Sequence, residues 1–221
     1  MLSKLKSFLR RHAGEELVEW LAESRDMRGL PVTLYNTRPD IDSEEVFARL
    51  DAALGLVQQY QPWHFRRLRR DFARIVVRRF PCRGAYFPES RTCLVELTFT
   101  VNLSFTPAQV AATILHEAMH ARLANAGVRY EPSAAAKHER FCRRAEVEFG
   151  MLVPGGAPIV ERALASLDSS DEEVAPAIDW ELASQRVAEV DRAARGAPRW
   201  LERARAKQRD AGSESTPGHD S

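Results

Sequence analysis

His116, Glu117 and His120 stand in the run His-Glu-Ala-Met-His, preceded by the apolar stretch Ala111-Ala112-Thr113-Ile114-Leu115. On a helix, residues four apart lie one above the other on the same face, so His116 and His120 can aim two imidazole nitrogens at one metal ion. Glu117 is then beside the first ligand, where a carboxylate reaches water held by the metal. A Zn²⁺ ion bound through three protein ligands keeps a fourth position for water and lowers its pKa. Glu117 would act as the general base, taking the proton from that water and passing it to a leaving amine. The expected chemistry is hydrolysis.

The third ligand has to come from further along the chain. His138 and Glu139 are the candidates. Cys142, Ala145 and Phe149 mark the apolar face of a second helix, with His138 near its centre and Glu139 at its edge. Glu146 lies seven residues after Glu139, two turns along one face, and could orient His116 or His120 from behind. Tyr130, between the two helices, could donate to an oxyanion. Cys142 and Met119 read as core residues.

The His-Glu-x-x-His run and its setting resemble the zincin metallopeptidases, over roughly residues 74–150. Residues 121–138 separate His120 from Glu139, a spacing similar to that of a large gluzincin aminopeptidase group, and Glu139-Arg140-Phe141-Cys142 looks like that group's Glu-x-Phe-small text. The resemblance implies a zinc peptidase with Glu139 as third ligand and a peptide or protein as substrate. It also implies an edge strand beside the motif helix that binds substrate backbone, for which Leu94–Phe99 is the candidate. The chain lacks the Asp that thermolysin-like members carry four residues after this Glu, and it lacks an exopeptidase motif upstream. His138 is the alternative ligand, as in SprT-like proteases, although the Gly that follows their His is missing here.

The elements that must position these residues are legible in part. Thr106 is the expected N-cap of the motif helix, Pro107 its first residue, Gln109 the partner in a capping box and Gly127 its stop. A second helix is expected from about Ala134 to Phe149, capped by Ser133 and closed by Gly150. Before the motif, Arg74–Phe80, Tyr86–Pro88 and Thr92–Phe99 read as strands, with a turn at residues 88–91. Residues 2–26 read as helix and Pro31–Thr37 as a short strand. Residues 43–60, capped by Ser43, and residues 62–73 read as further helices. Past the linker at residues 154–158, helices are expected at 159–168, 178–194 and 198–208, with an acidic loop at 168–173. The expected class is α+β: a small antiparallel sheet beside two long helices, with helical extensions. Its segments are 1–30, a metal-binding domain at 31–153, an extension at 154–209 and a disordered tail at 210–221.

Net charge is +1, so no global field draws the chain to nucleic acid or membrane. Eight arginines nevertheless crowd residues 66–83, among Trp63, His64, Phe65 and Phe72. They raise a second possibility, a DNA-associated SprT-like protease. A third is a zincin-fold interaction module without turnover. The three cysteines have no close pairing, and no apolar stretch is long enough for a transmembrane helix, so a cytoplasmic protein is expected.

Overall fold

We describe the protein from a computed structural model covering residues 22–176 and 178–194. The chain folds as α+β, with a five-stranded sheet and eight helices among these residues. The strands are β1 (Ala22–Met27), β2 (Leu30–Tyr35), β3 (Arg74–Arg78), β4 (Gly84–Phe87) and β5 (Thr92–Glu96). The helices are α1 (Ser43–Tyr60), α2 (Pro62–Asp71), α3 (Leu97–Val101), α4 (Pro107–Asn125), α5 (Ala135–Leu152), α6 (Ala157–Leu167), α7 (Asp171–Val174) and α8 (Trp180–Ala194).

The sheet order is β1-β2-β3-β5-β4. It is mixed, which corrects the antiparallel expectation. The hairpins β1–β2 and β4–β5 are antiparallel, but β2–β3 and β3–β5 are parallel. The crossover through α1 and α2 makes β2 and β3 parallel, because a connection that spans a helix returns the chain in the same direction; β5 is parallel to β3 because β4 runs back on the far side and its hairpin turn brings β5 in between them. Register places Val32 beside Ile75, Ile75 beside Cys93, Leu34 beside Val77 and Val77 beside Val95. These six side chains share one face and form a core with Val46, Leu50, Leu54 and Val57 of α1 and with α4.

Residues 22–26 are strand rather than helix. The segment Ala-Glu-Ser-Arg-Asp-Met is mostly exposed and owes its shape to pairing with β2, through the two-residue turn Arg28–Gly29. The expectations for residues 2–21, for 198–208 and for the tail lie outside the described residues. The N-cap of α1 is Asp42, whose carboxylate accepts the Glu44 amide, rather than Ser43, which is the first helical residue. β5 stops at Glu96, and Leu97–Val101 turns into α3 because the Glu96 carboxylate accepts the Phe99 amide at 2.6 Å. The turn at residues 88–91 forms as expected, pairing Phe87 with Thr92.

α4 has the expected start: Thr106 Oγ1 accepts the Gln109 amide and Gln109 Oε1 accepts the Thr106 amide, closing the capping box. Gly127, with φ near +80°, follows its end. Every residue from Val110 to Met119 is buried, so the helix runs through the centre of the molecule. α5 enters by a 3₁₀ turn over Pro132–Ala134, with no side-chain cap from Ser133, and continues past Gly150 to Leu152. The acidic stretch after Asp168 contains α7, held by a Ser170–Glu173 capping box. α4, α5 and α6 pack in succession, and Ile159 of α6 belongs to the core. No helix among the described residues is long and apolar enough to cross a membrane.

Candidate metal centre

Helical spacing brings the His116 and His120 Nε2 atoms to 3.2 Å. α5 packs across them and places the Glu139 carboxylate over both. Its Oε2 is 3.1 Å from His116 Nε2 and its Oε1 is 3.3 Å from His120 Nε2. Three side chains thus bring their donor atoms to one place, each Glu139 oxygen facing a different imidazole. Donors held about 2.0–2.1 Å from a tetrahedral Zn²⁺ are separated by about 3.3–3.4 Å, so this donor set fits such an ion without rearrangement of the backbone. His138 is buried one residue away, but its ring packs edge-on against Tyr130 at 5.4 Å. Its side chain is outside the triangle. The Cys142 sulfur lies one turn along α5, with the His116 and His120 nitrogens all within 4.8 Å of one another and of it. Burial pushes its thiol well above the ordinary value.

Behind the ligands, His116 Nδ1 is 2.6 Å from Glu146 Oε1. Glu146 is only 1% exposed. It also accepts from Arg143 Nη1 at 2.7 Å and from Arg162 Nη2 of α6 at 2.5 Å. This bond fixes which His116 nitrogen carries hydrogen and leaves Nε2 for a metal. Burial opposes a charge on His116, but the hydrogen bonds to Glu139 and Glu146 outweigh it and raise its pKa to about 10. For Glu139, burial acts upward, and the bonds from His116 and His120 dominate, holding the carboxyl far below the ordinary range.

Glu117 points away from the triangle's back and toward the sheet edge. Its Oε1 lies against Gly84 of β4, where a methyl group would meet it at 2.9 Å and Thr113 Cγ2 at 2.6 Å. Glycine is required there by close approach: only a bare backbone lets the strand pass this near the helix. Burial raises the Glu117 pKa, and His116 and His120 pull it partly back. Such a carboxylate is desolvated and a stronger proton acceptor than one in water. Tyr130 is half exposed, with its hydroxyl 3.5 Å from Glu139 Oε1 and its ring 5.8 Å from that of His120. Burial, followed by the Glu139 charge, pushes its phenol up to about 12, so it remains a donor at neutral pH.

The edge strand beside α4 is β4 and not Leu94–Phe99. Leu94 and Val95 lie in β5, which is paired on both sides, and residues 97–99 are helical. Gly84, Arg143 and Arg162 carried no sequence signal. Gly84 is one glycine in a turn-rich stretch, and Arg162 sits in a helix with no motif.

The arginines of residues 66–83 divide among separate environments. Arg79 bonds Glu96 and, at 2.8 Å, Asp191 of α8, which also takes Arg38 at 3.2 Å. Arg67 and Arg70 flank the buried Asp71. The Arg69 side chain lies against Gly29, and Arg83 lies over the Phe105 and Phe99 rings. Comparison of the chain with protein-family models, curated proteins and solved structures finds no match.

Proposed function

We propose that the protein is a zinc-dependent metallopeptidase of zincin type, with His116, His120 and Glu139 holding the metal and Glu117 as general base. The observation that carries this reading is the cluster in which the His116 and His120 Nε2 atoms are 3.2 Å apart and each lies 3.1–3.3 Å from one oxygen of the Glu139 carboxylate, with Glu117 buried next to His116 on the same helix. A zinc ion held there would polarise both a water molecule and the carbonyl of a scissile bond.

The chain's own residues do the rest. Glu117 accepts the proton of the attacking water and delivers it to the leaving amine. Its burial supports that role by raising its basicity. Glu146 keeps the hydrogen of His116 on Nδ1, so that Nε2 faces the metal. β4 is an outer strand of the sheet among the described residues, and an extended peptide could add to it as a further strand alongside α4. The order of strands before the motif helix, with a second long helix after it, supports the zincin reading.

The experiment is metal analysis combined with proteolysis. Wild type should hold one equivalent of zinc and cleave an unstructured protein such as casein. His116→Ala should lose the zinc, and Glu117→Gln should keep it and lose cleavage. Equal zinc in wild type and His116→Ala removes the site. Zinc binding with no cleavage by wild type assigns the fold to an interaction module.

A further inference from the structure

Trp63, Arg66, Arg67 and Arg70 recur on α2 at positions i, i+3, i+4 and i+7, which is one stripe along the helix. Phe65 and Leu68, on its other side, are buried in the core. The stripe continues past the helix end through Arg74, the first residue of β3, and through Arg91, whose guanidinium donates to the Arg70 carbonyl. Arg66, Arg74 and Arg91 are exposed and make no ion pair among the described residues. The carboxylate in contact with the stripe is Asp71, and its side chain is only 2% exposed. Asp71 accepts from Arg122 Nε at 3.3 Å and Asn125 Nδ2 at 3.4 Å, both of α4, and lies 3.7 Å from Arg70 Nε and 4.0 Å from Arg67 Nε. Its charge therefore faces inward, while the Arg70 side chain is 69% exposed. The near-neutral total charge does not offset this face, because other acids pair elsewhere: Glu44 with Arg25, Asp51 with Arg28 and Asp171 with Arg140. At the start of the stripe Trp63 is half exposed, and the Arg67 and Arg122 guanidiniums lie over its ring at 4.6 and 5.1 Å.

A row of unpaired guanidiniums favours an anion that carries charge at intervals along its length. A nucleic-acid backbone is such an anion, and the arginine fork matches its phosphates. An exposed aromatic ring beside a cationic track adds a surface for an unpaired base, whose faces a duplex would already have stacked. An anionic membrane would require an apolar face beside the arginines, and the other apolar side chains of α2 are inside the core. We propose that the α2 stripe binds a single-stranded nucleic acid, with Arg66, Arg70, Arg74 and Arg91 on phosphates and Trp63 against a base. This surface does not rest on the peptidase reading.

The test is fluorescence anisotropy of the full chain with labelled oligothymidylate and oligouridylate, a duplex of mixed sequence, and heparin as a polyanion without bases, each over a range of KCl. The single strands should bind more tightly than the duplex, and the stronger of the two identifies the sugar. Neutralising about three or four phosphates gives a slope of log affinity against log salt of about −2 to −3. Arg66→Gln with Arg74→Gln should bring that slope about 1.4 nearer to zero, while Arg144→Gln, an exposed arginine on α5, should leave it unchanged. Trp63→Ala should weaken single-strand binding about 5- to 150-fold and heparin binding little, and Trp63→Phe should restore part of the loss. Thermal melting of each variant confirms that it is folded. No binding to either single strand at low salt, or a slope that survives Arg66→Gln with Arg74→Gln, overturns the inference. So does duplex or heparin binding as tight as that of the single strands with no effect of Trp63→Ala, which would make the face a site for any polyanion.

Discussion

Glu146 offers a sharp perturbation because three donors depend on it. Oε1 accepts from His116 Nδ1 at 2.6 Å and Arg143 Nη1 at 2.7 Å, and Oε2 accepts from Arg162 Nη2 at 2.5 Å. Glu146→Gln preserves shape but not charge. With its oxygen toward His116, its amide hydrogens must face the Arg162 guanidinium, donor against donor. The hold on His116 Nδ1 also weakens, and loss of such a partner behind a metal ligand costs about 10- to 100-fold in metal affinity. Glu146→Ala goes further and leaves Arg143 and Arg162 with no buried acceptor. Breaking a buried pair in this way costs about 3–5 kcal/mol. At about 2–4 °C per kcal/mol for a chain of this size, Tm should fall by about 6–20 °C. Zinc competition against a chromogenic chelator measures the first effect, and melting of the metal-free proteins measures the second. The reasoning is falsified if Glu146→Gln binds zinc as tightly as wild type.

Further outcomes follow from the same geometry. Glu139→Gln should weaken zinc by several orders of magnitude, while His138→Ala should leave it nearly intact and Cys142→Ser should change it little; a large loss in either of the last two would reassign the third ligand. Gly84→Ala should lower both cleavage and Tm, since its methyl group meets Glu117 and Thr113 at 2.9 and 2.6 Å; normal kinetics would show that β4 yields. In the metal-free protein His116 has a pKa raised to about 10, so its contribution to stability is complete below about pH 6.5 and is lost as pH rises through 10. Melting from pH 6.5 to 10 should therefore fall more steeply in wild type than in His116→Asn, and parallel curves would contradict this. Asp191→Ala should lower Tm by several degrees, because Arg38 and Arg79 are largely buried and lose a shared carboxylate; an unchanged Tm would make that pair redundant with Asp40 and Glu96.

The most readable part of the chain is the motif helix, where cap, first-turn proline and stop glycine are all local signals. Helical periodicity also places His116 and His120 on one face without any tertiary information. The sheet was read less well, for physical reasons. β1 has no apolar alternation, and its extended form comes from hydrogen bonding to β2. Leu97–Val101 has β-branched residues and aromatic character, yet one capping carboxylate at Glu96 tips it into a helix. The parallel pairing of β2 with β3 depends on what the α1–α2 crossover does in space, and that of β3 with β5 on which side of β5 the β4 strand falls. Spacing proposed both Glu139 and His138 but could not choose, because the difference is a 100° rotation of α5 against α4. Glu146 was reachable by counting turns from Glu139, whereas Gly84 and Arg162 were not, since only packing brings their segments to the site.

Asp191 has a consequence for the order in which the molecule forms. It joins Arg38, 153 residues earlier, and Arg79, 112 residues earlier. The hairpins, the α1 crossover and the α4–α5 pair close much shorter loops, so the donor triangle can assemble while α8 is still unattached. The last ion pairs then tie α8 across the ends of β3 and β5, where Trp180 also packs on Phe80 at 5.6 Å. During synthesis, residues 22–167 emerge before that clasp can close. Unfolding should proceed in the reverse order, with α8 released first and amide protection at residues 180–194 lost ahead of that in α4.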